Sequence, residues 1–81
     1  MRIVWDPPKR LINLKNRSFD FASLDMEFFA GSIVVPARDG RFKAIGFFKG
    51  TPLTVVFKPL GSEAISVISM RVASSKERGV L

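Results

Sequence analysis

Ala64-Ile65-Ser66-Val67-Ile68-Ser69-Met70-Arg71-Val72-Ala73-Ser74-Ser75-Lys76-Glu77-Arg78 is the stretch from which the fold can be read. Its first ten residues are rich in β-branched side chains and contain no Gly or Pro, the pattern of a strand buried on both faces at its middle. We expect this strand to lie at the centre of a sheet. The apolar run gives way to Arg71, and Ser74-x-x-Glu77 reads as a capping box, hydroxyl and carboxylate each satisfying a free backbone N–H at a helix start. A buried strand therefore delivers a cation and turns into a short basic helix.

Working backwards, Arg41 to Phe48, Leu53 to Pro59 and Ala64 to Ala73 are three β-rich runs separated by the short loops Lys49-Gly50-Thr51-Pro52 and Leu60-Gly61-Ser62-Glu63. Loops this short join antiparallel neighbours, so the C-terminal half reads as a meander. Ser32-Ile33-Val34-Val35-Pro36 precedes it as an edge strand, because Pro36 cannot donate to a ladder, and Asp39-Gly40 gives the hairpin turn. Alternation puts Phe42, Ala44, Gly46, Phe48, Leu53, Val55, Phe57, Ile68, Met70 and Val72 on one face. The opposite face takes Ile45, Val56 and Val67 as an apolar row, with Arg41, Lys43 and Lys58 toward one end and Thr54, Ser69 and Arg71 toward the other. A row of this kind, apolar in the middle and cationic at its ends, suits a partner helix or a polyanion, unless the C-terminal segment folds back over it.

The N-terminal half supplies the cover. Arg2 to Trp5 reads as a short edge strand, and Asp6-Pro7-Pro8 as an N-cap leading into a helix over 7–16. On that helix Leu11 and Leu14, with Ile12 beside them, form the packing side, while Lys9, Arg10, Asn13 and Arg17 form a cationic one. Asp20 caps a second helix carrying Phe21, Leu24 and Phe28 and ending at Ala30-Gly31. The expected fold is thus α+β: two N-terminal helices on an antiparallel meander of three to four strands, with a short C-terminal helix, in one domain spanning 1–81.

Composition narrows the function. Lys and Arg number 13 against 7 Asp and Glu, a net +6 that calls for a polyanionic partner, while 47% hydrophobic residues with eight Phe argue against disorder. No cysteine means no disulfide or thiolate chemistry and suits a reducing cytoplasm. No histidine means no imidazole base and no Cys/His metal site, so chemistry falls to Arg, Lys, Asp, Glu or Ser, with no cofactor expected. Apolar runs are too short for a membrane span or a signal-peptide core.

Several residues together resemble the BrnT family of type II toxin–antitoxin ribonucleases, and the resemblance spans nearly the whole chain. They are Trp5-Asp6-Pro7, Lys9, Asn13-Leu14-Lys15, Phe21, Arg41 leading to Ile45-Gly46, Val55-Val56-Phe57, and Ile68-Ser69-Met70-Arg71-Val72-Ala73 followed by Glu77-Arg78. The resemblance implies a RelE-like fold and an mRNA-cleaving toxin that inhibits growth. It also implies a BrnA-like antitoxin with a ribbon-helix-helix part, through which the complex reaches operator DNA. The family's Lys-His-Gly after the first helix is Asn16-Arg17-Ser18 here, so Arg17 stands where relatives carry histidine, and Val72 replaces a second arginine.

Metal-free RNA cleavage needs a base for the 2′-hydroxyl, cations for the charge gained at phosphorus and an acid for the leaving oxygen. We expect Arg17, Arg41 and Arg71 to hold phosphate, and Glu77 or a lysine to move the proton. Lys9, Lys15, Lys43 and Arg78 are expected to bind RNA, and Ile45, Val56 and Val67 to receive the antitoxin. The missing histidine keeps open an inactive homologue acting as antitoxin-binding co-repressor, and the charge alone would also fit a small nucleic-acid-binding domain.

Overall fold

Ala64 to Val72 forms a strand flanked on both sides, but the sheet around it is larger and less uniform than a meander. The computed structural model describes residues 1–81. Its elements are β1 (Arg2–Trp5), α1 (Pro7–Arg17), a single 3₁₀ turn (Phe21–Ser23), α2 (Met26–Ala30), β2 (Ile33–Pro36), β3 (Phe42–Phe48), β4 (Thr51–Leu60), β5 (Ala64–Val72) and α3 (Ser75–Arg78). The five strands lie in the order β1-β5-β4-β3-β2. β2 through β5 pair antiparallel, whereas β1 pairs parallel to β5, from Arg2↔Ala64 to Trp5↔Val67. The sheet is therefore mixed, with β4 rather than β5 in the middle, because the apolar N-terminal strand covers the edge that the meander leaves open. β2 and its Pro36 form the opposite edge. No helix is long and apolar enough to cross a membrane.

The alternation expected along β5 breaks at one point. Val56 pairs with Ser69 but Phe57 pairs with Val67, so Ile68 is the extra residue of a β-bulge. A bulge shifts the parity of every residue beyond it. Val67 is consequently wholly buried in the helix-side core beside Phe57, not on the opposite face with Val56, and Ile68 leaves that core. The β3–β4 register, Ala44↔Val55 and Gly46↔Leu53, keeps both strands on their expected faces. Gly46 has a steric reason: a Cβ there would meet Ser32 at 3.2 Å, where the chain leaving α2 enters β2 alongside β3.

The helical cover also departs from the pattern. Asp20 accepts the Ala22 N–H and Asp25 accepts the Phe28 N–H, so two caps five residues apart divide the expected second helix into the 3₁₀ turn and α2. Phe21, Leu24 and Phe28 still enter the core. In α1 the Asp6 side chain makes no cap bond, and Pro at the first turn starts the helix instead.

α1 is turned over relative to its apolar stripe. Leu11, Ile12 and Leu14 are 62%, 59% and 39% exposed, and the buried residue is Asn13 at 7%. The reason lies in the sheet edge. β1 ends at Trp5, opposite Val67, and leaves the outer edge of β5 unpaired beyond it. Asn13 replaces the missing strand: its Oδ1 accepts the Met70 N–H at 3.1 Å, and its Nδ2 donates to the Met70 carbonyl at 2.9 Å and the Phe19 carbonyl at 3.0 Å. A primary amide carries the donor and acceptor of one peptide group, and leaving Met70 unpaired would cost about 1–3 kcal/mol per buried group.

Candidate active site

The bulge and the Asn13 clamp together leave a cleft between α1 and the outer edge of β5. It has a volume of about 220 Å³ and is lined by Lys9, Ile12, Asn16 and Arg17 from the helix and Ile68 and Ser69 from the strand, with Asn13 at its junction with β5. Lys9, Ile12, Asn13, Asn16 and Arg17 recur at i, i+3, i+4, i+7 and i+8 and so share one side of α1. None of Lys9, Asn16, Arg17 or Ser69 has a side-chain partner inside the protein. The cleft thus offers an amine, a guanidinium, an amide and a hydroxyl, and no carboxylate.

Two residues beyond Ser69 on the same face of β5, about 7 Å along the strand, stands Arg71. Its guanidinium is fixed by Glu77, Nη1 to Oε1 at 2.6 Å and Nη2 to Oε2 at 2.9 Å. The same carboxylate accepts Thr54 Oγ1 at 3.0 Å and the Ser74 N–H at 2.9 Å, and faces Lys43 Nζ at 3.1 Å. The capping box read from Ser74 and Glu77 is present in both directions, which seats α3 and aims Glu77 across the sheet. Two cations meet a single carboxylate, so the cluster keeps one net positive charge.

Arg71 holds the Glu77 carboxyl far below the usual carboxylate range, with the Ser74 N–H, Lys43 and Thr54 adding to the effect against the opposing influence of burial. The same bond raises the Arg71 guanidinium above its ordinary value. A carboxylate whose lone pairs are so fully committed is a poor proton acceptor. The geometry therefore casts Glu77 as the residue that positions Arg71 and Lys43, not as the expected base.

The remaining expected residues are scattered. Arg41 is exposed just before β3, four residues along and two strands across from the row of Arg71, about 13 Å and about 10 Å respectively. Lys15 is exposed on α1 outside the cleft, and Arg78 is exposed on α3, bonded to Ser75 Oγ at 3.1 Å. Lys43 sits opposite Val56 and Lys58 opposite Ser66, so the two lysines do not face each other. Of the residues expected to receive a partner helix, Val67 belongs to the core on the other face and Ile45 is buried beside Thr54, leaving Val56 half-buried. The continuous apolar row is absent, because the bulge removes one member and α3, anchored on Thr54 through Glu77, folds toward this face.

Alternation placed Thr54 and Ser69 beside Arg71 and helical spacing placed Asn13 with Lys9 and Arg17, but the part of Ile12 and Asn16 in the cleft and the Asn13 clamp escape a reading by pattern. The single hint was an asparagine inside a helix, where its amide competes with the backbone unless something else occupies it.

Comparison with known proteins matches this arrangement to one family. Residues 5–77 match the family described as the ribonuclease toxin, BrnT, of type II toxin–antitoxin system. The structure is similar to the 1.1 Å crystal structure of the Brucella abortus ribonuclease toxin, BrnT, with a TM-score of 0.87 and 51% sequence identity, covering 93% of this chain and 99% of that one. No curated protein matches the chain. The matched span begins at Trp5, where β1 hands over to α1, and closes at Glu77, the carboxylate that holds Arg71, so it takes in the cleft and the ion cluster alike. The chain belongs to the BrnT family of ribonuclease toxins of type II toxin–antitoxin systems.

Proposed function

We propose that this toxin is a metal-independent endoribonuclease that cuts mRNA in the cytoplasm, with the scissile phosphate bound between Arg17 and Arg71. The observation that carries the reading is the Glu77 clamp, which holds the Arg71 guanidinium in one orientation two residues along β5 from Ser69, beside a cleft whose own cations, Lys9 and Arg17, are free. In many catalytic sites, charge aimed in advance at the place where charge develops lowers the barrier more than any other single effect. The donor set of the cleft, cationic and neutral without a carboxylate, suits a phosphate and not a metal ion.

In this scheme the 2′-oxygen attacks the adjacent phosphorus and gives up its proton, the bond to the 5′-oxygen breaks, and that oxygen takes a proton. The products are a 2′,3′-cyclic phosphate and a 5′-hydroxyl. Arg17 and Arg71 offset the charge on the phosphorane-like transition state. Lys9 is the one amine lining the cleft, and it is the candidate for proton transfer. Lys15 and Arg78 are exposed cations available to flanking phosphates, and Lys43 helps hold the Glu77 carboxylate beside Arg71. Arg41 is assigned no catalytic part.

The neutralising partner we propose is a BrnA-like antitoxin with a ribbon-helix-helix part, which would also carry the complex to operator DNA. Val56 is the residue of the expected contact that is still accessible. The test is cleavage of a defined RNA by protein freed of antitoxin and contaminating nuclease, with and without EDTA. Cutting that survives EDTA and falls about 10²–10³-fold in Arg71→Ala supports the reading; an uncut RNA, or an unchanged Arg71→Ala, overturns it.

A further inference from the structure

We propose that the cleft between α1 and β5 is a base-reading subsite, in which one adenine of single-stranded RNA lies between Ile12 and Ile68 and pairs with the Asn16 amide. The inference deepens the ribonuclease reading and rests on RNA being the substrate. Three observations carry it. Ile12 is a large apolar side chain more than half exposed on the cationic side of α1, with no packing role to account for it. Ile68 lines the same cleft because the bulge removes it from the core, and bulges re-aim side chains beside functional sites. Asn13 and Asn16 both lie at the cleft, yet only Asn13 has its donors and acceptor engaged, by Met70 and Phe19.

Two apolar walls with a free amide between two cations match the parts of a nucleotide. A base taken out of its stack is held between apolar or aromatic side chains and read through its polar edge. An asparagine amide fits adenine best, its carbonyl accepting the exocyclic amino hydrogen while its NH₂ donates to N7. Lys9 and Arg17 flank Asn16 along the helix and can take the phosphates on either side of the base. A cleft of about 220 Å³ is smaller than the roughly 300–1,000 Å³ of sites for drug-sized ligands, and so suits a single base.

The experiment has a binding arm and a cleavage arm. Wild type, Asn16→Ala, Ile12→Ala and Arg17→Ala are titrated with 2′-O-methyl tetranucleotides, which cannot be cleaved, each carrying one of the four bases at the second position. Cleavage sites on a mixed-sequence RNA are then mapped for the same proteins. Wild type is expected to bind the adenine oligomer at least about tenfold more tightly than the other three, and to cut next to adenines. Asn16→Ala loses that preference, Ile12→Ala weakens binding of the adenine oligomer most, and Arg17→Ala weakens all four alike. An adenine preference that survives Asn16→Ala, or a wild type without one, overturns the subsite. Should wild type bind with the expected preference and cut nothing, the subsite stands and the ribonuclease reading falls.

Discussion

Asn13→Ala tests the most unexpected feature of the fold, the use of a side-chain amide as a strand. Removing the amide leaves the Met70 N–H and C=O without their Asn13 partner in a buried position, and the Phe19 carbonyl without the Asn13 donor. At about 1–3 kcal/mol for each buried group left unpaired, the two Met70 groups alone give a loss of about 2–6 kcal/mol. For a chain this size total stability is about 4–12 kcal/mol, and each kcal/mol corresponds to about 4–8 °C in Tm, so melting should fall by at least about 8 °C and by as much as about 48 °C. Thermal and urea unfolding followed by circular dichroism measure the effect. Exchange of the Met70 amide hydrogen, expected to speed up more than that of Val55, locates it. Asn13→Leu is the decisive companion. If the exposed stripe of Leu11, Ile12 and Leu14 were the packing side, a leucine at 13 would be harmless or stabilising. If Asn13 closes the edge of β5, leucine should cost at least as much as alanine. A folded Asn13→Leu protein with unchanged Tm would refute the reasoning.

Other perturbations follow from the ion pairs and the cleft. Arg10 holds the Asp20 carboxyl down at about 2, with help from the Ala22 N–H, and Arg71 holds Glu77 lower still. Both folded values lie below the unfolded ones near 4, so each contributes stability that is present above about pH 4 and lost as pH falls toward the folded value. Acid titration of wild type should show that loss between about pH 4 and 2, and Glu77→Gln should flatten it while lowering stability at pH 7. Arg17→His introduces the histidine that the family resemblance implies at this position and should raise cleavage while adding a titration between about pH 5 and 8 to the rate profile; an unchanged profile would remove histidine from the chemistry. Val56→Asp should abolish co-purification with the antitoxin while thermal unfolding remains cooperative, and undiminished capture would move the interface elsewhere.

Local chemistry was enough for much of this protein. The capping box at Ser74 and Glu77, the turn at Asp39-Gly40, the edge position of Pro36 and the antiparallel run of β2 through β5 all depend on residues near one another in the chain. The cationic character of the surface was legible as well, from a net charge of +6, and the absence of cysteine and histidine left Arg, Lys, Asp, Glu and Ser as the available chemistry. Three features depended on residues far apart. β1 pairs with β5 across more than sixty positions, and nothing within four residues says which edge it will cover. The bulge at Ile68 shifts parity without any glycine to mark it, so Val67 and Ile68 exchanged places between core and cleft. Asn13 faces inward because the edge of β5 needed a donor and an acceptor where β1 stops, a demand created only once the sheet had formed. Periodicity weighs side chains by their affinity for water; tertiary structure also counts unpaired backbone groups, and here satisfying two of them outweighed burying two leucines.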